Sequence, residues 1–168
     1  MSKISPGLPG ATPGAMPGFI KPQLATLKSK APKGPQWLHE IKYDGYRVQV
    51  HLNKGKKKVF TRNGLDWTKR FSVIAGALDI PGQAIIDGEV VVVHEGRTNF
   101  SELQAELAAG RQDRLIYYGF DLLWRDGDLR SRSQIERKQM LFRSPWRKRY
   151  RPAGSLLRTF DRRWAGDV

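Results

Sequence analysis

Three short stretches of this sequence place ionisable side chains where a folded core would resist them. The first is Glu40-Ile-Lys42-Tyr43-Asp44-Gly45-Tyr46-Arg47, in which four charges and a glycine stand just before an alternating apolar run. A lysine at such a junction can lose part of its water, which lowers its pKa and frees the amine as a nucleophile. Arg47 can grip phosphate or ribose oxygens with its planar fork. Gly45 would let the backbone come close to a ligand. A surface cluster of ion pairs would look the same in sequence, so this stretch alone does not separate the two.

The second stretch is Asp87-Gly88-Glu89, set inside a run of Ile and Val from Ala84 to Val93. Carboxylates there are costly unless a Mg2+ ion, a ribose hydroxyl or a cation pairs with them. Side chains alternate along a strand, so Asp87 and Glu89 share a face. A bulge at Gly88 that lets both acids reach water is the plainer alternative. The third is Tyr117-Tyr118-Gly119-Phe120-Asp121-Leu122-Leu123, with one acid in an aromatic strand. Aromatic faces can stack on a nucleobase. Core packing, with Asp121 satisfied by backbone groups, fits equally. His39, His51 and His94 lack metal-ligand spacing, and with no cysteine there is neither a thiolate site nor a disulfide. No Walker-type phosphate loop and no Ser-His-Asp triad is present.

The elements that must position these residues are legible from periodicity. Tyr46 to Leu52 alternates as a strand, Asn53-Lys-Gly55 signals a turn, and Lys56 to Thr61 returns to close a hairpin. The Lys56-Lys57-Lys58 run reads as a solvated edge. Asp66 to Leu78 has the helical spacing Trp67, Phe71, Ile74, Leu78. Ala84 to Val93 is a buried strand, and Phe100 to Ala108 a short helix capped by Asn99 or Thr98. Gly96-Arg97 marks a turn, Arg114 to Trp124 a third apolar strand, Asp126-Gly127 its turn, and Ser133 to Phe142 another helix. Pro22 to Leu27 reads as a segment that docks on the core. Residues 1–18, with four Pro-Gly pairs, read as a linker.

The chain has 168 residues, room for one domain, and 39% are hydrophobic. Thirty Lys and Arg against sixteen Asp and Glu give a net charge of +14, which favours a polyanionic partner. From Leu129 onward there are twelve basic and three acidic residues, so +9 of that charge lies at one end. No apolar run approaches the ~20 residues a membrane helix needs, and the first residues have no apolar signal-peptide core.

Taken together, the charged stretches resemble the nucleotidyltransferase superfamily of ATP-dependent DNA ligases, and most of all the bacterial end-joining ligases of the ligase D type. Lys42-Tyr-Asp-Gly-Tyr-Arg47 matches the adenylation motif Lys-x-Asp-Gly-x-Arg, and Thr61-Arg-Asn-Gly64 matches the motif that follows it. Asp87-Gly-Glu89 matches the acidic motif and Tyr118-Gly-Phe-Asp-Leu-Leu123 the aromatic one, all four in order, over roughly Phe19 to Leu141. The resemblance implies an α+β fold: an antiparallel-sheet nucleotidyltransferase domain, ATP-grasp-like, with flanking helices. It implies that Lys42 attacks the α-phosphate of ATP to form lysyl-AMP. Glu40 would read the adenine amino group, and Arg47 and Arg62 would hold ribose or phosphate oxygens, with Arg62 also near DNA. Glu89 would bind the ribose or a metal, and Phe120 would stack on adenine. Asp44, Gly45, Asp87 and Asp121 would support them. ATP with Mg2+ or Mn2+, nicked or broken double-stranded DNA, end-joining proteins, and a cytoplasmic, nucleoid-associated setting follow from the same likeness.

The sequence also departs from that pattern. The family's later Glu-Gly-x-x-x-Lys segment and the lysine motif after it do not occur beyond Leu123. The expectation is therefore a ligase domain over 19–142, incomplete at its C-terminus and impaired in sealing. A basic irregular tail follows over 143–168, and a frameshift or premature stop would account for it. Three alternatives compete: an RNA ligase or capping-type nucleotidyltransferase, a non-catalytic nucleic-acid-binding remnant, and a chain whose unclosed sheet aggregates through its edges.

Overall fold

The structure, a computed structural model, describes residues 8–35, 37 and 40–143 and the backbone of 157–158. His39 and nearly all of the basic tail therefore lie outside the described residues. The first strand, β1 (Tyr46–Asn53), buries Val48, Val50 and Leu52 on one face and turns Arg47, Gln49 and His51 to the other. Lys54 and Gly55 both take positive φ, 49° and 88°, as a two-residue hairpin with right-handed strand twist demands. The chain returns as β2 (Lys56–Thr61), in register from Asn53 opposite Lys56. β2 is a sheet edge. Lys57 bonds the Gly76 carbonyl at 3.2 Å and Lys58 meets Asp66 at 3.3 Å, so this run guards the edge as expected.

After helix α1 (Ser72–Ala77), strand β3 (Gln83–Val91) forms the middle of the sheet. A small ribbon of β4 (Val93–His94) and β5 (Arg97–Thr98) leads to α2 (Phe100–Ala108), β6 (Ile116–Arg125) and α3 (Gln134–Arg143). β7 (Leu157–Arg158) adds a backbone pairing parallel to β6, and the sheet order is β2-β1-β3-β6-β7. The fold is thus α+β around an open sheet that is antiparallel from β2 to β6. Phe71, Ile74, Leu78, Leu103, Leu107 and Leu141 pack with the inward side chains of β1, β3 and β6. Burying each such side chain stabilises the fold by ~1.5–3 kcal/mol. Among the described residues no helix is long and apolar enough to cross a membrane.

Three elements differ from their sequence expectation. The helix expected from Asp66 begins only at Ser72. Asp66 and Thr68 are taken up by the sheet edge: the Asp66 carboxylate accepts from Thr68 N–H and Oγ1–H, and Thr68 Oγ1 accepts from Val59 N–H. Residues 8–18 do not run free as a linker. Thr12 and Asp128 exchange two 2.8 Å backbone hydrogen bonds, and Met16 packs on a small cluster of Ile85, Leu123 and Trp124. In the segment expected to dock, Leu24 and Leu27 are exposed and the Gln23 carbonyl makes contact, while Phe19 and Ile20 just before it supply the rest. The two later helices start as expected. The Asn99 side chain accepts from Glu102 N–H at 3.0 Å. Ser133 and Glu136 form a reciprocal capping box at the head of α3.

Gly88 sits at a register break between β3 and β6. A Cβ there would stand 2.4 Å from the Tyr118 carbonyl and 2.5 Å from the Tyr117 ring. Gly76, on α1, has open space around it. Gly88→Ala should therefore destabilise by ~1–3 kcal/mol through overpacking, and Gly76→Ala should be neutral or stabilising by up to ~1 kcal/mol. Urea titrations of the two variants check this, and equal effects would contradict the close approach.

Candidate functional site

Strand alternation turns Arg47, Gln49 and His51 away from the core, and the antiparallel register sets Arg47 beside Glu89 and Gln49 beside Asp87. On the next strand Glu89 is paired with Tyr118 and Asp87 with Asp121. Cross-strand partners point to the same side of a sheet, so Arg47, Asp87, Glu89, Tyr118 and Asp121 converge on one polar face, while Tyr117 packs in the apolar core. Half of it is covered by the strap at Phe19–Gln23. The Gln49 amide bonds both the N–H and the C=O of Ile20, and His51 leans on Gln49 Oε1 at 3.3 Å. Burial, with Lys58 nearby, holds the His51 imidazole down to about 4, so it is neutral and structural. The other half carries Arg47, Asp87, Glu89, Tyr118 and Phe120.

Arg47 is the centre of that half. Its Nε and Nη2 donate to the two Asp87 oxygens at 3.3 and 2.8 Å, and its Nη1 donates to the Gln23 carbonyl at 2.8 Å. The guanidinium also lies 5.5 Å from the centre of the Phe120 ring, in cation–π contact. Burial opposes charge on Arg47, and the Asp87 carboxylate outweighs it. Burial likewise pushes the Asp87 carboxyl upward while Arg47 pulls it back. The fork geometry is that of a charged pair.

Asp121 is satisfied in a way neither sequence alternative contained. Arg137, on α3, donates from Nε and Nη2 to its two oxygens at 2.7 Å each. The next residue of the helix, Lys138, is half-desolvated, which depresses its ammonium pKa, and it pairs with Glu40. Sequence reasoning missed both cations. Their signal was present as charge at two positions of an amphipathic helix, but nothing local says which acids they reach.

The segment before β1 is anchored residue by residue. The Tyr43 ring stacks on Tyr118, with centroids 4.2 Å apart and planes 12° from parallel. Asp44 N–H donates to Thr98 Oγ1 at 3.2 Å. The Gly45 N–H faces the Glu89 carboxylate. Gly45 is small for a different reason than expected: a Cβ would lie 2.2 Å from the Val90 carbonyl, so the close approach is to β3 and not to a ligand. Lys42, one residue before the Tyr43 stack, is exposed, as is Arg62. Among the described residues the desolvation expected at Lys42 is therefore not met. The segment carrying it precedes β1 and is held through its neighbours, Glu40 on Lys138 and Tyr43 on Tyr118. Arg62 joins the site through its backbone, bonding the Arg47 carbonyl at 3.1 Å.

Among the described residues no three His, Cys, Asp or Glu side chains gather where a cation could be held. Glu89 is a single carboxylate at the rim of the face. That donor set suits Mg2+, which keeps waters and takes one or two carboxylates together with substrate phosphates.

Residues 22–149 match the family model described as ATP dependent DNA ligase domain. The chain is 40% identical over 136 residues to the multifunctional non-homologous end joining protein LigD of Pseudomonas aeruginosa, covering 79% of this chain and 16% of that protein. It is 30% identical over 133 residues to the bifunctional non-homologous end joining protein LigD of Bacillus subtilis, covering 68% of this chain and 22% of that one. The chain thus spans less than a quarter of these relatives. In structure it is similar to the ligase domain of M. tuberculosis LigD, with a TM-score of 0.55 and 30% identity over 61% of this chain and 35% of that one. It is also similar to a mycobacterial DNA ligase D complexed with ATP and MES, at a TM-score of 0.54 and 33% identity over the same shares, 61% and 35%.

Burial raises the Glu89 carboxyl to about 7 from the ordinary 4.5, against the pull of Arg47 and Gly45. A raised folded-state value means stability is fully present below 4.5 and is lost as pH climbs through about 7. Relative to Glu89→Gln, which does not ionise, the wild type should lose stability across that window and level off above it. Denaturation curves for both proteins from pH 4 to 8 check this, and a flat difference would place Glu89 in water.

Proposed function

The chain belongs to the ATP-dependent DNA ligase family, and on that premise we propose that its open polar face binds ATP and that Lys42 takes up AMP. The observation that carries the proposal is the fixed Arg47 fork, held beside Glu89 and Phe120 on the half of the sheet that the strap does not cover. Adenine would stack on Phe120 and displace part of the Arg47 contact. Arg47 and Arg62 would hold ribose or phosphate oxygens. Glu40 would read the adenine amino group, after leaving Lys138. Glu89 would accept from a ribose hydroxyl or hold Mg2+, with Mn2+ as a substitute. The metal's contribution is to screen phosphate charge.

Lys42 enters this face from its edge, tethered by the Tyr43–Tyr118 stack one residue on. In the transfer its nitrogen bonds the α-phosphorus, the bond to the pyrophosphate oxygen breaks, and the amine gives up a proton. Because Lys42 is exposed in the free chain, the bound nucleotide must complete the water-poor setting that the amine needs. We extend the proposal to the family's later steps: AMP passes to a DNA 5′-phosphate, and a 3′-hydroxyl displaces it to seal a nick. The substrate would then be nicked or broken double-stranded DNA, with end joining and repair as the cellular setting, end-joining proteins as partners, and the nucleoid as the place.

The test is incubation with α-labelled ATP and Mg2+. The wild type should become labelled and Lys42→Ala should not, while both melt alike, since an exposed side chain contributes within ~0.5 kcal/mol. Arg47→Ala should lower the labelling rate ~10²-fold, the effect of losing one preorganised donor. No label on folded wild type, or label on Lys42→Ala, would sink the proposal. Labelling by GTP in place of ATP would favour a capping-type enzyme.

A further inference from the structure

The polar face contains an electrostatic conflict that a residue outside the sheet resolves. Asp87 and Asp121 are direct cross-strand partners, both buried, at 3% and 6% exposure. Two carboxylates so placed repel each other, and each needs its own cation. Arg47 cannot serve both: its Nε and Nη2 are used on Asp87, and its Nη1 on the Gln23 carbonyl. Asp121 nevertheless attracts Arg47 across the sheet.

We propose that Arg137 is a positioning residue for this site: by neutralising Asp121, it leaves Asp87 to hold the Arg47 fork in place. Arg137 is built for that role. It is buried at 8% exposure, both its forked contacts to Asp121 are 2.7 Å, and its remaining nitrogen, Nη1, donates to the Arg132 carbonyl at 2.5 Å. The guanidinium is therefore pinned at the start of α3 and cannot follow a ligand. Without it, Asp121 would compete with Asp87 for Arg47 and draw that guanidinium out of its present fork. Only the ligand of Arg47 is taken from the preceding proposal; the competition itself does not depend on it.

Two readouts separate the two ideas. The Arg47 Nε–H resonance in 15N-resolved NMR spectra reports the Asp87 pair without nucleotide. In Arg137→Gln it should shift from its wild-type position, and in the double variant Asp121→Asn/Arg137→Gln it should return. ATP affinity, measured calorimetrically, should fall about tenfold or more in Arg137→Gln, the loss expected for one charged hydrogen bond. The double variant should recover to within about threefold of wild type, because the unpaired carboxylate is gone. If Arg137→Gln does not fold, Arg137→Lys is measured: it keeps the charge, so the Arg47 resonance should stay near its wild-type position even where the melting temperature drops. An unmoved Arg47 resonance in folded Arg137→Gln, or a double variant no better than the single one, would overturn the proposal and leave Arg137 a packing residue. Wild-type protein that shows the NMR pattern but binds no ATP would instead overturn the nucleotide reading and uphold the positioning one.

Discussion

Two buried carboxylates on neighbouring strands set the terms for everything else on the polar face. Asp87 and Asp121 are register partners with almost no access to water. A sheet can hold such a pair only if cations arrive from two directions. One comes from within the sheet, as Arg47 of β1, and the other from α3, as Arg137. Buried ion pairs of this kind are weak contributors to net stability, because desolvation offsets most of the Coulomb gain. Their effect is geometric. Each guanidinium is held by a two-point fork and a third bond to a backbone carbonyl, from Gln23 for Arg47 and from Arg132 for Arg137.

The sheet therefore does two jobs on its two sides. One side is a close-packed apolar layer against the helices. The other is divided between a region sealed by the Phe19–Gln23 strap and a region left open. The division follows from chemistry: where the sheet presents Gln49, the strap supplies the backbone groups of Ile20 to bond it, and where it presents Ile85 and Trp124, Ile20 of the strap and Met16 just before it pack on them. Where it presents Arg47, Glu89 and Phe120, the strap offers a single carbonyl. Charged and aromatic groups gathered with little cover from the described residues are the ordinary setting of a polar ligand.

Much of this was legible from local pattern. The β1–β2 hairpin, its Lys54-Gly55 turn and the lysines of its outer strand follow from alternation and turn chemistry, and the cap of α2 follows from Asn99. The first half of the helix expected after Asp66 was misread because its apolar spacing is helical while Asp66 and Thr68 bond the neighbouring strand edge instead. Propensity cannot see that competition. Gly45 is expected as a close approach to a ligand, and what approaches it is the Val90 backbone; Gly88 is expected at a bulge, and it does sit at a register break, against Tyr117 and the Tyr118 carbonyl.

What the sequence determined by itself was the four longer strands, β1, β2, β3 and β6, and the side of each on which its charged residues fall, because alternation with period two is a local property. The order of the four motifs carried the family. What only the tertiary structure decided was pairing: that Asp87 belongs to Arg47 and Asp121 to Arg137, that Glu40 meets Lys138, and that Lys42 is exposed where partial desolvation was expected. Those contacts join residues 16 to 98 positions apart. Which distant cation reaches which acid depends on strand register and helix placement, and neither is written in any local window.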